Sequence, residues 1–104
     1  MDRSDVINLI KHTKTQDQYG VWRETETSRE VFCDVQSVTR SEFFEGGRNG
    51  LNPELVFTVF MDDYEDETVL EYDNKRYAIY RTYRAKTDVL ELYAERKGGT
   101  NGSE

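Results

Sequence analysis

Hydrophobic and polar residues alternate with a period of two in short runs along most of this 104-residue chain. Val31, Cys33 and Val35 share one face of such a run. In the run ELVFTVFM (residues 54–61) both faces are apolar, which is typical of a strand covered on both sides. Alternation of this kind predicts β-strands. The segments predicted as strands are residues 5–14, 21–27, 30–38, 54–61, 68–72, 75–83 and 88–97.

The segment 39–53 interrupts this pattern with two adjacent phenylalanines, three glycines and the only proline of the chain. Hairpin loops usually have about two to five residues, and long loops in small domains commonly have a function. A single helical turn through Phe44 is predicted within the segment, capped by Thr39 or Ser41 and stopped by the following pair of glycines. The segment is therefore predicted to be a long, flexible loop that acts while the strands hold it.

Short strands separated by regularly spaced turns predict an all-β fold. We expect a small antiparallel barrel or sandwich of six to seven strands with one long loop. Residues 1–97 form a single domain in this prediction, because the chain is too short for two. The glycine-rich end, residues 98–104, is predicted to be a disordered tail.

The formal net charge is −7 and the estimated pI is 4.7. This acidic balance weighs against binding to a phosphate backbone, which depends on Lys and Arg. Seven Tyr, five Phe and one Trp exceed the needs of one small core and favour an interface. No hydrophobic run approaches the ~18 residues of a membrane span, and the single cysteine fits a cytoplasmic setting.

Charge is segregated along the second half of the chain. Residues 62–73 contain seven acids and no base, whereas residues 75–97 contain seven bases and three acids. Two solvated faces would explain this split. Complementary edges would instead allow identical copies to dock head to tail, which closes into a ring. The residues of that predicted subunit interface are Asp62, Asp63, Glu65, Asp66, Lys75, Arg76, Arg81 and Arg84.

Catalytic and metal-binding chemistry is sparse in this sequence. A Cys33–His12 dyad oriented by Asp34 can be drawn, but Asp34 lies on the opposite face of its strand. One Cys and one His cannot complete a zinc site, and the acidic segment lacks the pattern of a calcium-binding loop. We therefore expect no enzyme activity, no metal and no cofactor.

A nucleic-acid-binding barrel is the alternative prediction. Three tyrosines beside three arginines have the chemistry to stack and neutralise a single strand, although the whole-chain charge opposes it. An acidic DNA mimic is a further, weaker alternative. The residues of the stacking surface are Tyr77, Tyr80, Tyr83, Arg76, Arg81 and Arg84.

Several short runs occur in an order that resembles a known family. They are Tyr19-Gly20, residues 31–35 (VFCDV), 37–44 (SVTRSEFF), 50–54 (GLNPE), 70–72 (LEY), 75–80 (KRYAIY) and 90–93 (LELY). In this order the chain resembles the head closure proteins of long-tailed bacteriophages, also called head-tail joining or stopper proteins. The resemblance covers residues 5–97, and no single run is diagnostic.

The resemblance implies a structural protein: a small β-barrel that forms a ring below the portal and adaptor rings. Such a ring retains packaged DNA and provides the docking platform for the tail. The implied partners are other copies of the chain, the adaptor and tail-completion proteins, and packaged DNA bound without sequence specificity. The implied location is the virion neck, assembled in the host bacterial cytoplasm. The loop 39–53 would face the channel, with gating residues Phe43, Phe44, Gly46, Gly47, Arg48, Asn49 and Gly50.

Overall fold

The computed structural model describes residues 5–96, so the predicted tail at residues 98–104 lies outside the described residues. Six strands, one α-helix and one short 3-10 helix follow one another in this part of the chain. They are β1 (Asp5–Gln16), β2 (Trp22–Ser37), α1 (Arg40–Arg48), β3 (Pro53–Phe60), the 3-10 helix (Met61–Asp63), β4 (Val69–Tyr72), β5 (Lys75–Lys86) and β6 (Val89–Arg96).

The strands form a closed antiparallel barrel in the order β1-β2-β3-β6-β5-β4. Closure depends on a short contact between β4 and β1, from Asn8↔Glu71 to Ile10↔Val69. The prediction of a small all-β barrel is confirmed, and the number of strands among residues 5–96 is six.

The core lies inside the barrel and follows the predicted alternation. Phe57 of β3 is fully buried and contacts the rings of Tyr72 and Tyr77 edge to face, at centroid distances of 5.4 and 5.7 Å. Burying such a ring among aliphatic side chains is a large source of stability. The buried residues of this cluster are Ile7, Leu9, Val31, Cys33, Phe57, Val59, Leu70, Tyr77, Leu90, Leu92 and Ala94.

Two segments predicted as separate strands, residues 21–27 and 30–38, are one continuous strand. β2 runs from Trp22 to Ser37 and pairs with β1 from Asp5↔Cys33 to Gln16↔Trp22. The predicted break between them is wrong because Ser28 and Arg29 pair directly with Ile10 and Leu9. Because β1 pairs with β2 without interruption, the polar middle of β2 stays extended.

The later strands differ from the predictions mainly at their ends. The reversal before β5 is a tight turn, with φ of 53° at Asp73 and 63° at Asn74. Those values belong to the two-residue hairpin turns that match the twist of their strands. β5 continues to Lys86, beyond the predicted end at residue 83. Among residues 5–96, the nine-residue α1 is the longest helix, and no helix in this range is long and apolar enough to cross a membrane.

Candidate functional site

Helix α1 replaces most of the segment predicted as a flexible loop. Thr39 caps it: its hydroxyl oxygen accepts a hydrogen bond from the Glu42 N–H at 3.1 Å. The prediction of a single turn stopped by the glycine pair is wrong, because the helix continues through both glycines to Arg48. It ends where Gly50 takes a φ of +79°.

Gly46 brings α1 close to the barrel. A Cβ atom added at Gly46 would lie 2.3 Å from Cγ of Pro53, the first residue of β3. At the neighbouring Gly47 an added Cβ would meet nothing within 4 Å. Gly46 is thus needed for contact with β3, whereas Gly47 faces open space.

Glu42 holds the first turn of α1 to β5. Its carboxylate accepts a hydrogen bond from Arg81 Nη2 at 2.6 Å and one from the Tyr80 hydroxyl at 2.5 Å. The Arg81 guanidinium lies 3.8 Å from the centroid of the Tyr93 ring. The hydrogen bond from Arg81 is the main reason that the pKa of Glu42 is lowered. We call Glu42, Tyr80, Arg81 and Tyr93 the latch.

A β-bulge builds the latch. The register between β5 and β6 shifts between Ile79 and Arg81, so Arg81 lies opposite Tyr93. A bulge inserts one extra residue into a strand and redirects its side chains. Two consecutive residues, Tyr80 and Arg81, therefore reach the same carboxylate. A strict period of two would place Arg81 on the same face as Tyr77 and Ile79, and that alternation fails at this bulge.

We expect Glu42→Gln to weaken the docking of α1 by about 1–3 kcal/mol, because hydrogen bonds to a charged group are lost. The folded pKa of Glu42 lies below its ordinary value of 4.5. The stabilisation is therefore fully present above about that pH and is lost as the pH falls through the folded pKa. Hydrogen exchange of the α1 amides, measured between neutral and acid pH, should show this loss in the native chain.

Glu45→Gln is the matched control on the same helix, since Glu45 is exposed and bonds only within α1, to Arg48 at 3.0 Å. Native-like exchange in Glu42→Gln, or an equal effect of Glu45→Gln, would show that the latch does not hold the helix.

The predicted gating residues divide between the two sides of α1. Gly46 is buried against Pro53. Phe43 and Phe44 remain 47% and 60% exposed, with ring centroids 5.8 Å apart in edge-to-face contact. Arg48, Asn49 and Gly50 lie exposed at the end of the helix. The outer side of α1 thus presents two aromatic rings that the barrel leaves uncovered.

A second exposed element extends from the barrel. The β1–β2 ladder continues for six residue pairs beyond the barrel wall, from Lys11↔Thr27 to Gln16↔Trp22. Six pairs span about 20 Å at the usual rise per residue. All the strand residues of this extension are exposed. We call residues 11–28 the arm.

The tip of the arm is a rigid turn with apolar side chains around it. The Asp17 carboxylate accepts hydrogen bonds from the N–H groups of Tyr19 and Val21 at 2.9 and 3.0 Å. These two bonds are the main reason that the pKa of Asp17 is lowered. Tyr19, Val21 and Trp22 are 80%, 52% and 65% exposed. The turn therefore fixes an apolar surface at the end of the arm.

The arm was not identified from the sequence, although its composition contains a signal. Residues 11–16 (KHTKTQ) and 23–28 (RETETS) are polar on both faces. A strand of a barrel wall needs one apolar face, so a strand that is polar on both faces must extend beyond the wall.

The acidic segment folds against one end of the barrel. Glu67 is buried, and its carboxylate accepts hydrogen bonds from Arg29 Nη2 at 3.0 Å and from the Glu65 N–H at 2.8 Å. The Tyr64 hydroxyl donates to the carbonyl of Glu67 at 2.6 Å. The explanation of the charge split by two solvated faces therefore does not hold for Glu67. Of the predicted interface acids, Asp62, Glu65 and Asp66 are exposed and Asp63 is half-buried.

Two of the four predicted interface bases bind carboxylates of the same chain. Arg76 binds Glu26 of the arm through two hydrogen bonds, at 2.7 and 3.2 Å. Arg81 belongs to the latch. Lys75 and Arg84 are exposed, and Arg84 donates to the Thr87 carbonyl at 3.0 Å. The charge split along the sequence thus produces contacts within one subunit as well as exposed charge.

The stacking surface of the nucleic-acid alternative is not assembled. Tyr77 is buried in the core, and the hydroxyl of Tyr80 is bonded to Glu42. Of the three tyrosines, Tyr83 stays largely exposed. Three tyrosines on one open face, which base stacking would need, are not present in this arrangement.

The Cys33–His12 dyad is also not assembled. Cys33 lies opposite Asp5 in the β1–β2 ladder and His12 lies opposite Glu26, so seven residue steps, about 24 Å, separate them. Burial raises the pKa of the Cys33 thiol to about 12. His12 instead lies between two carboxylates of the arm, at 3.2 Å from Glu24 and 3.7 Å from Glu26.

We expect Cys33 to react with an aromatic disulfide reagent only after unfolding, because the thiolate is the reactive form and the thiol is buried. Absorbance of the released thiol, with and without denaturant, measures this. His12→Ala should leave the reaction unchanged. Full reaction of the native chain at neutral pH would contradict the assignment of Cys33 to the core.

No group of three or more His, Cys, Asp and Glu residues within residues 5–96 is arranged to hold a metal ion. Comparison of the chain with protein-family models and with curated proteins finds no match. The features of the described chain that bear on function are the arm, the outer side of α1 and the latch beneath it.

Proposed function

We propose that this protein is a head closure, or stopper, component of a long-tailed bacteriophage neck. In this proposal copies of the chain form a ring below the portal and adaptor rings, retain the packaged DNA and provide the platform on which the tail docks. The adaptor and tail-completion proteins are its partners, and DNA passes through the channel without sequence-specific contact. The protein is assembled in the host cytoplasm and remains in the virion neck.

The arm is the observation that carries the proposal. A soluble monomer gains nothing from about 20 Å of two-stranded ladder without a buried face, since an isolated two-stranded hairpin is at best marginally stable. Exposed Tyr and Trp side chains at its tip are the residue types enriched at protein interfaces. An arm of this length suits a subunit that reaches a neighbour in an assembly.

The net charge of −7 also supports a channel component. An acidic wall repels the phosphate backbone, so DNA can pass without being retained by the wall itself. Helix α1 supplies an element that can move, because polar contacts at the latch hold its first turn while Phe43 and Phe44 stay outside. Release of the latch would free the first turn of α1 for a change of position.

Electron microscopy of virion necks carrying a tagged copy of the chain tests the proposal. We expect a ring of label between the adaptor and the tail. Heads assembled without the chain should fill with DNA and then lose it. Label elsewhere in the particle, or filled heads that keep their DNA without the chain, would contradict the assignment.

Single-strand binding remains the second candidate, because the last part of β5 presents Tyr83, Arg84 and Lys86 to solvent. Its test is a salt-dependent mobility shift of labelled single-stranded DNA. A strong shift at moderate salt would favour this function over the neck component.

A further inference from the structure

Two strands of the barrel have open edges. β4 pairs with β5 only as far as Val69↔Ala78, after which the Ile79 N–H still donates to the Thr68 carbonyl at 2.9 Å. Within residues 5–96, the last part of β5 therefore has β6 on one side and no strand on the other. We call residues 82–86 the β5 edge.

The other open edge belongs to the arm and its base. β2 pairs with β3 only from Asp34↔Thr58 to Ser37↔Leu55. Earlier in β2, the described part of the chain places β1 on one side and no strand on the other. We call residues 22–30 the β2 edge. Open edges carry unpaired N–H and C=O groups and are templates for pairing with a further strand.

The faces of the two edges that point away from the core are complementary in charge. On the β5 edge (TYRAK), Lys86 lies on this face, whereas Arg84 lies on the other face, opposite the core residue Leu90. On the β2 edge, Glu24, Glu26 and Glu30 share the face away from the core and are exposed, whereas Arg23 and Arg29 lie on the other face. Opposite charges across a strand pair stabilise the pair, and like charges destabilise it.

Each edge also exposes one large aromatic side chain on its outward face, the face away from the core. Tyr83 lies opposite Glu91 of β6 and is 55% exposed. Trp22 shares the face of Glu24 and is 65% exposed. Aromatic pairs across strands are among the more stabilising ones. Strand pairing between the two edges would therefore cover both rings.

The alternative edge of the arm does not have this complementarity. The open side of β1, residues 11–16, carries Lys11 and Lys14 and no acid. Placed beside the β5 edge, these lysines would repel Arg84 and Lys86. The charges of the outward face thus select the β2 edge as the partner of the β5 edge.

We infer that the β2 edge of one copy adds to the β5 edge of a second copy and forms an intersubunit β-sheet. The two edges lie on different parts of the subunit, so the contact is head to tail and leaves one edge of each kind free for the next copy. Repetition of this contact closes a ring when the rotation between neighbouring copies completes a full turn. The inference rests on the proposed function in one respect: it takes the second copy to be the next subunit of the ring in the virion neck.

Charge reversal tests this contact with the full chain. Lys86→Glu reverses the charge of the outward face of the β5 edge, and Glu24→Lys with Glu30→Lys reverses that of the β2 edge while sparing Glu26, the partner of Arg76. Either reversed variant should associate about a hundredfold more weakly than the native chain, because like charges then face one another. Sedimentation and native mass spectrometry measure the assembly, and circular dichroism confirms that each variant is folded.

Mixing the two reversed variants gives the decisive measurement. Each then presents an edge complementary to the other, so a one-to-one mixture should recover assemblies in which the variants alternate. Lys14→Glu is the matched control, with the same change of charge as Lys86→Glu but on the β1 side of the arm. It should associate as well as the native chain.

Four outcomes would overturn the inference: native assembly by both reversed variants, failure of the mixture to recover, loss of assembly in the control, or a native chain that stays monomeric at its solubility limit. A β5 reversal that spares assembly but abolishes single-strand DNA binding would assign that edge to nucleic acid instead. Retention of DNA in heads is scored separately. Rings whose subunits contact one another through surfaces other than the β2 edge and the β5 edge would overturn this inference alone. Absence of the chain from virion necks would overturn the proposed function.

Discussion

Replacement of residues 11–27 by an Asn-Gly turn is expected to leave the barrel folded and to abolish ring assembly. Ile10 and Ser28 lie directly opposite one another, so a two-residue turn can close the hairpin at that point. None of the core residues lies in the excised segment. The thermal midpoint should stay within about 8 °C of the native value. Native mass spectrometry and circular dichroism make the two measurements.

The small expected loss of stability has a specific cause. The ion pairs removed with the arm, such as Glu26 with Arg76 and Lys11 with Glu65, are exposed, and exposed pairs contribute little to folding. The arm is therefore dispensable to the subunit and, in our proposal, essential to the assembly. In a phage, heads completed with the armless chain should lose their DNA.

A second variant separates the length of the arm from its tip. Tyr19→Ser with Trp22→Ser keeps the ladder but removes the two largest apolar groups of the tip, and it should weaken assembly without abolishing it. Rings formed by the armless chain would show that the arm has no part in subunit contact. Collapse of the barrel on excision would instead show that the arm serves folding.

The barrel itself could be predicted from the sequence because its core strands follow a simple rule. Residues 31–35 alternate between core and surface, and the structure buries Val31 and Cys33 in the core. In the apolar run 54–61, Phe57 and Val59 lie in the core, and half-buried Leu55 and Met61 pack against it. The arm obeys no such rule. Its two strands are polar on both faces, so the pattern gave short, separate strands where one long ladder exists.

The errors around α1 have local physical causes. Glycine pairs usually end a helix, and the prediction of a single turn followed from that. Here the contact with Pro53 requires Gly46 within the helix, a constraint visible only once β3 is in place. The alternation of polar and apolar residues likewise does not reveal the bulge before Arg81. Both features anchor α1, and neither leaves a signal in the alternation of residues.

The assignment of Arg76 and Arg81 to the subunit interface stays a prediction. The structure shows which existing contacts of these two side chains a neighbouring subunit would meet. Both guanidinium groups already bind carboxylates of the same chain. A neighbour would have to share or displace those contacts. The exposed charges of the β5 edge need no such displacement, which is why the contact inferred above is placed there.

Gly46→Ala is expected to undock α1 at a cost of about 1–3 kcal/mol, the usual cost of overpacking a close contact. The added methyl group would lie 2.3 Å from Cγ and 2.9 Å from Cδ of Pro53, a ring with little freedom to move. The helix must then shift, and the bonds of Glu42 to Tyr80 and Arg81 lengthen or break. Hydrogen exchange should accelerate for the α1 amides and stay slow for β3 and β6.

Gly47→Ala provides the opposite expectation one residue away. Its added methyl group meets nothing within 4 Å, and alanine in a helix interior is more stable than glycine by about 0.5–1 kcal/mol. This variant should therefore slow exchange in α1. In filled heads, Gly46→Ala should leak DNA and Gly47→Ala should retain it if the segment 39–53 gates the channel. Equal retention by both variants, with exchange changed as expected, would separate the docking of α1 from any gating role and leave the helix as a structural brace.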